Sequence, residues 1–124
     1  MTDVDSELLA AADEAAAHAY APYSGFRVGA AVRARDGRVF TGCNVENAAY
    51  PLGSCAERNA ISRAVVEGGC APGDLEAIAI TASPCGGCRQ WLAELRIDRV
   101  SYRREDGSVA STTPAALLPD TFKL

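Results

Sequence analysis

Cys55-Ala56-Glu57-Arg58 and, further along, Ser83-Pro84-Cys85-Gly86-Gly87-Cys88-Arg89-Gln90 are the residues of this chain whose types and spacing could do chemistry. Cys55, Cys85 and Cys88 can hold one zinc ion per chain and leave one position open. Structural zinc sites close with four protein ligands, whereas catalytic sites keep three and admit water. The pattern therefore implies hydrolytic zinc chemistry, with Glu57 as the carboxylate that handles protons. A Cys-x-x-Cys alone would also suit a redox or structural pair. A redox pair leaves Cys55-x-Glu57 unexplained, and a structural site needs a fourth ligand, for which Cys43, Cys70 and His18 have no supporting spacing. Cys43 and Cys70 read as small packing hydrophobes, and His18 as a surface or half-buried residue. A capping box of Ser54 and Glu57 would not account for the cysteines.

These groups work only if helix starts present them. Cys55 is expected at the first turn of one helix, with Ser54 as N-cap, and Cys85 and Cys88 on one face of the first turn of another. The partial positive charge at a helix N-terminus favours thiolates. Three thiolates on zinc leave a net negative charge, and Arg58, beside Cys55 on its helix, is the local group to offset it. Glu57 lies about 200° around the helix from Cys55. Both side chains lean toward the N-terminus and can meet beyond its rim, where a carboxylate reaches a water and accepts its proton.

The rest of the chain supplies the scaffold. Alanine-rich residues 5–20 predict a helix, with Asp3, Asp5 and Ser6 as N-cap candidates. Residues 26–32 alternate into a strand, Arg35-Asp36-Gly37-Arg38 turns, and 39–45 return. A helix over 55–67 is stopped by Gly68-Gly69, and apolar 75–81 predicts a buried strand. A helix over 85–95 precedes strands over 99–103 and 108–112, joined across Glu105-Asp106-Gly107. The tail, 114–124, is too short to be a separate domain. The order fits a single α/β domain over residues 1–124, one mixed sheet covered by helices.

Composition narrows the classes. The chain has 124 residues, 48% of them hydrophobic, with a net charge of −4, so its field repels polyanions and argues against a nucleic-acid partner. No stretch approaches the roughly twenty apolar residues of a membrane span, and Met1-Thr2-Asp3 reads as an acidic start rather than a signal peptide. Five cysteines are an odd number, and with a Cys-x-x-Cys they suit a reduced, cytoplasmic protein.

With these motifs in hand, the chain resembles the small homotetrameric cytidine deaminases. The resemblance runs through Pro22-Tyr23-Ser24-Gly25-Phe26-Arg27-Val28-Gly29-Ala30-Ala31, Gly42-Cys43-Asn44-Val45-Glu46-Asn47-Ala48-Ala49-Tyr50, both cysteine motifs, and Leu117-Leu118-Pro119-Asp120-Thr121-Phe122. It implies a three-layer fold with a five-stranded mixed sheet. The implied reaction is zinc-dependent hydrolysis of cytidine and 2'-deoxycytidine to uridine and 2'-deoxyuridine with loss of ammonia, as in pyrimidine salvage. Cys55 stands where nucleic-acid deaminases usually carry His, which favours a free nucleoside. The resemblance gives Glu57 the proton shuttle and Asn44 and Glu46 the ribose hydroxyls. It has Phe26 pack on the nucleoside, and the backbones of Ala56 and Ser83 read the pyrimidine. Tyr50 and Phe122 match aromatics that complete a neighbouring subunit's pocket in a homotetramer, although a Phe near a terminus also reads as a tail anchor.

Two departures border the pocket. Family members usually carry more residues between the buried strand and Ser83, where Ile80-Thr81-Ala82-Ser83 is direct, and Pro51 stands where a small flexible residue is commoner. Substrate breadth therefore stays open. One alternative is a deaminase of another cytosine nucleoside, such as a blasticidin-type antibiotic. The other is a non-catalytic zinc-stabilised binding module, which would have no use for Glu57.

Overall fold

Strand β1 (Gly29–Ala34) is buried on both faces at nearly every residue, as a central strand covered by helices must be. The computed structural model describes residues 3–124, with side chains from residue 5 onward. Around β1 it builds α1 (Asp3–Ala16), β2 (Val39–Cys43), α2 (Ala56–Val66), β3 (Leu75–Ile80), α3 (Gly86–Glu94), β4 (Arg99–Arg103), β5 (Val109–Thr112) and α4 (Pro114–Leu117). The sheet runs β2-β1-β3-β4-β5. The β3/β4 pair is parallel and the other three are antiparallel. Alternate residues of the strands feed two apolar layers. Ala31, Ala77 and Ala79 meet Leu8, Leu9 and Ala12 of α1 on one face. On the other, Ala30, Val32, Ile78, Ile80 and Val100 meet Ala60, Ile61 and Ala64 of α2 and Leu92 of α3. The expected three-layer α/β architecture is what forms.

Two glycines set how closely the helices approach. A Cβ on Gly29 would lie 1.9 Å from the carbonyl oxygen of Ala12, and one on Gly42 would lie 2.4 Å from the backbone nitrogen of Ala60. Both contacts are to helix backbone, which does not yield as a side-chain tip does. The hairpin turns follow one construction: Gly37 and Gly107 take φ of 95° and 87°, and the carboxylates of Asp36 and Asp106 accept the backbone N–H of Arg38 and Ser108. Only glycine takes such φ readily.

Several boundaries move. Helix α1 ends at Ala16 rather than 20, and 3₁₀-type bonds then carry the chain from Ala17 to Ala19. Asp5 and Ser6 lie inside α1 rather than at its cap. Asp5 is buried and pairs with Arg99 of β4 at 3.4 Å. Met1 and Thr2 lie outside the described residues. Residues 26–28 are not strand, because their polar groups are held by Asn44 instead of a ladder partner. β2 stops at Cys43 and leaves Val45 in isolated bridges to Tyr20 and Ser54. A 3₁₀ turn at Tyr50–Leu52 and helix α4 had no expectation attached to them.

Gly42→Ala should destabilise the protein by about 3 kcal/mol or more, the upper end for overpacking, because the new methyl meets helix backbone. Denaturant titration measures this, and an unchanged midpoint would contradict the close approach of α2 to β2.

Candidate metal centre and nucleoside pocket

The sheet topology decides why two helix starts converge. β2 and β3 flank β1 and both run antiparallel to it, so they point the same way about 10 Å apart. Helices pack at about 8–10 Å. α2 follows β2 and α3 follows β3, on the same face of the sheet. Their N-termini therefore open side by side at one end of it.

Cys55 is the N-cap of α2 and Cys85 the N-cap of α3, both with extended backbone. This corrects the expectation that Ser54 caps α2. The Ser54 hydroxyl donates to Asn59 Oδ1 at 2.7 Å, and Asn59 Nδ2 donates to the carbonyl of Cys43 at 2.7 Å. Asn59 thus ties the end of β2 to the start of α2, a role that no local pattern announced. The sulfur of Cys85 accepts the backbone N–H of Cys88 at 3.4 Å.

The three sulfurs of Cys55, Cys85 and Cys88 lie within 4.8 Å of one another. Sulfurs around tetrahedral zinc stand about 3.8 Å apart, so the cluster is the right size. Its electrostatics also call for a cation. Burial pushes the thiols of Cys55 and Cys88 up. Burial acts on Cys85 too, but hydrogen bonds from the Cys88 backbone N–H and the neighbouring thiols outweigh it and hold that thiol below its usual range. A bound cation removes the remaining thiol protons and relieves the repulsion among three thiolates. Arg58 lies against Gly87, whose added Cβ would come 2.4 Å from Nη2. Burial opposes its charge, yet the cysteines, Cys88 first, more than compensate. Its Nε is buried with no hydrogen-bond partner among the described residues, and its main tie to the cluster is to Cys88, by hydrogen bonding first and by charge second.

Glu57 is 4% exposed. Desolvation raises its pKa above the ordinary glutamate value, while its own backbone N–H, Cys88 and Arg58 pull partly the other way. It lines a cavity of about 220 Å³ together with Phe26, Val28, Asn44, Cys55, Ala56, Ala82, Ser83 and Cys85. Seven of the sequence-derived site residues thus meet in one wall: Phe26, Asn44, Cys55, Ala56, Glu57, Ser83 and Cys85. Glu46 and Tyr50 instead line a second groove of about 330 Å³ with Tyr23, Ser24, Asn47 and Gly53. Phe122 borders neither. It is exposed, its carbonyl accepts from Gln90 Nε2 at 3.2 Å, and Arg89 Nη1 donates to the carbonyl of Leu117 at 3.0 Å.

Asn44 and Glu46 are already engaged. Asn44 accepts the backbone N–H of Val28 at 2.8 Å and donates to the carbonyl of Phe26 at 2.9 Å. Glu46 Oε1 accepts from the backbones of Tyr23 and Ser24 at 2.9 and 3.1 Å, and Oε2 accepts the Ser24 hydroxyl. Ser24 escaped the sequence reading because its partner is far along the chain.

The family model for the cytidine and deoxycytidylate deaminase zinc-binding region matches residues 2–104. The chain is 43% identical over 124 residues to a cytidine deaminase of Sporosarcina psychrophila, covering 94% of this chain and 89% of that one. It is 44% identical over 136 residues to the cytidine deaminase of Mycobacterium tuberculosis, covering 100% and 94%. The crystal structure of a cytidine deaminase from Burkholderia pseudomallei superimposes with a TM-score of 0.89 at 45% identity, covering 98% of this chain and 100% of that one.

Metal analysis of the purified protein should give one zinc per chain, and Cys88→Ala should lose most of it, since two thiols do not make a zinc site. Full occupancy in that variant would remove Cys88 from the ligand set.

Proposed function

The chain belongs to the cytidine and deoxycytidylate deaminase family, and from that premise we propose how its residues divide the work. The reaction is hydrolytic: cytidine or 2'-deoxycytidine and water give uridine or 2'-deoxyuridine and ammonia. The observation that carries this reading is a cluster of three thiols, two of which share a cavity wall with a buried glutamate. Zinc held by Cys55, Cys85 and Cys88 supplies Lewis-acid activation of water near neutral pH. Glu57 takes a proton from the attacking water and passes it to N3 of the pyrimidine. It carries a second proton to the C4 amine, and the C4–N bond breaks as ammonia leaves. Arg58 offsets the charge of the thiolate cluster. The relatives above are cytidine deaminases, which disfavours both the antibiotic-directed enzyme and the non-catalytic module.

Phe26 covers the nucleoside, and the backbones of Ala56 and Ser83 read the base edge. Asn44 and Glu46 hold the sugar with the capacity their internal bonds leave over. A carboxylate offers about four lone-pair sites, and three are used on Glu46. A site that hydrogen-bonds a substrate hydroxyl penalises an analogue without one, so free cytosine is a poor substrate. No described helix is long and apolar enough to cross a membrane. A site built of three thiols suits a reducing compartment such as the cytoplasm.

The active unit proposed is a homotetramer with shared sites. Ligand cavities usually hold about 300–1,000 Å³, and the metal cavity of one chain encloses about 220 Å³. Tyr50, Leu52, Val66 and Phe122 are all more than two-thirds exposed, the kind of apolar surface that another chain covers. Tyr50 and Phe122 are assigned to a neighbour's pocket.

Ammonia release from cytidine, deoxycytidine and cytosine tests the reaction. Glu57→Gln should keep its zinc and lose about 10²–10⁴ in kcat or more; near wild-type turnover would remove Glu57 as the shuttle. For the shared site, light scattering should give a mass near four chains. Mixing inactive Glu57→Gln chains with impaired Phe122→Ala chains should restore activity, because some composite sites are then intact. A fully active monomer would refute this.

A further inference from the structure

Residues 20–28, with no strand or helix of their own, give Tyr23 and Ser24 to the second groove and Phe26 and Val28 to the metal cavity. A single β-bridge joins Tyr20 to Val45, and Gly25 takes φ of +69°. Backbone bonds fix its ends at Tyr20 and Val28 and one turn from Ala21 to Gly25; between them the segment is held by side-chain bonds, and Ser24 is the joint among these. Its hydroxyl accepts the backbone N–H of Phe26 at 2.9 Å and donates to Glu46 Oε2. Its own backbone N–H donates to Glu46 Oε1 at 3.1 Å. One hydroxyl therefore touches the backbone of a residue that lines the metal cavity and the carboxylate of one that lines the second groove.

We infer that Ser24 is a positioning residue for nucleoside binding, locking the Glu46 carboxylate and the Phe26 backbone into one arrangement. The inference rests on the reading of Glu46 and Phe26 as substrate contacts and adds the residue that couples them. Glu46 is a half-buried carboxylate on an irregular segment, where without these bonds it would sample several rotamers. A hydroxyl that is donor to it and acceptor from Phe26 removes that freedom before substrate arrives, which is how preorganisation raises affinity. The hydroxyl suits both tasks because it carries one donor and two acceptor sites. The Ser24 hydroxyl, ahead of the backbone N–H groups of Ser24 and Tyr23, also lowers the Glu46 pKa, so the carboxylate is kept as an acceptor. Ser24 itself lies outside the lining of the metal cavity, so its effect should fall on binding and not on the proton transfers.

Steady-state kinetics of Ser24→Ala with cytidine should show KM raised about tenfold, the scale of one hydrogen bond to a charged group, with kcat changed less than about twofold. Ser24→Thr, which keeps the hydroxyl, should restore KM. Placing Ser24→Ala on a Glu46→Gln background should cost much less than it does alone, because its effect runs through that carboxylate. Amide exchange at Phe26 should accelerate in Ser24→Ala and not in Ser24→Thr, a readout that needs no turnover. If wild type fails to release ammonia from cytidine, the proposed reaction falls while the exchange data still judge the Ser24 joint. Unchanged KM, equal loss of kcat in Ser24→Ala and Ser24→Thr, full additivity with Glu46→Gln, or unchanged exchange would each overturn the inference.

Discussion

Three sulfurs held within 4.8 Å of one another are the arrangement to which the other parts of this molecule answer. Thiolates that close repel, and the buried thiols resist ionising. The chain brings them together because backbone geometry leaves little choice. Two of them are N-caps of helices laid side by side, and the third sits in the first turn of one of those helices. Helix dipoles and Arg58 supply part of the compensating charge, and the metal supplies the rest. The same crowding places Glu57 at the rim: a residue two positions past an N-cap cannot retreat far from the helix end.

The side-by-side helices depend in turn on close contacts that carry no chemistry. Gly42 lets α2 rest on β2, and Gly29 does the same for α1 against β1. Without the first contact α2 would ride outward, and Cys55 would leave the reach of Cys85 and Cys88. Asn59 adds a directional constraint, since it holds the end of β2 and the loop before Cys55 at once. Thus the distance from Asn44 to Cys55 is fixed by a half-buried polar bridge beside an apolar helix face, while the distance from Cys55 to Cys85 is fixed by sheet spacing.

Local signals made much of this legible. Period-two alternation found β1, helical spacing found α2, and Asp-Gly turns found both hairpins, β2 with the first, because only glycine tolerates the φ involved. The cysteine spacing picked out the three thiols that the fold brings together, since metal coordination restricts residue type so sharply. What escaped was set by contacts between residues far apart in sequence. Ser54 looked like a cap for α2 by propensity, but its hydroxyl has a partner in Asn59 and the cap position goes to Cys55. Residues 26–28 alternate like a strand, yet Asn44 satisfies their backbone in place of a ladder. Ser24 gave no signal, because nothing near it hints that Glu46 lies opposite.

The tail shows a different kind of economy. Arg89 and Gln90, which follow Cys88 directly, reach the carbonyls of Leu117 and Phe122. Both anchors grip main chain, and every residue type has a carbonyl. Leu117 is also held by its side chain, which packs against the core, but the identity at 122 can drift over generations without loosening this bond, so selection on an aromatic there would have to come from what its ring touches. The two positions past Cys88 enjoy no such freedom. A change there would remove a bond to the tail that no substitution within the tail could replace.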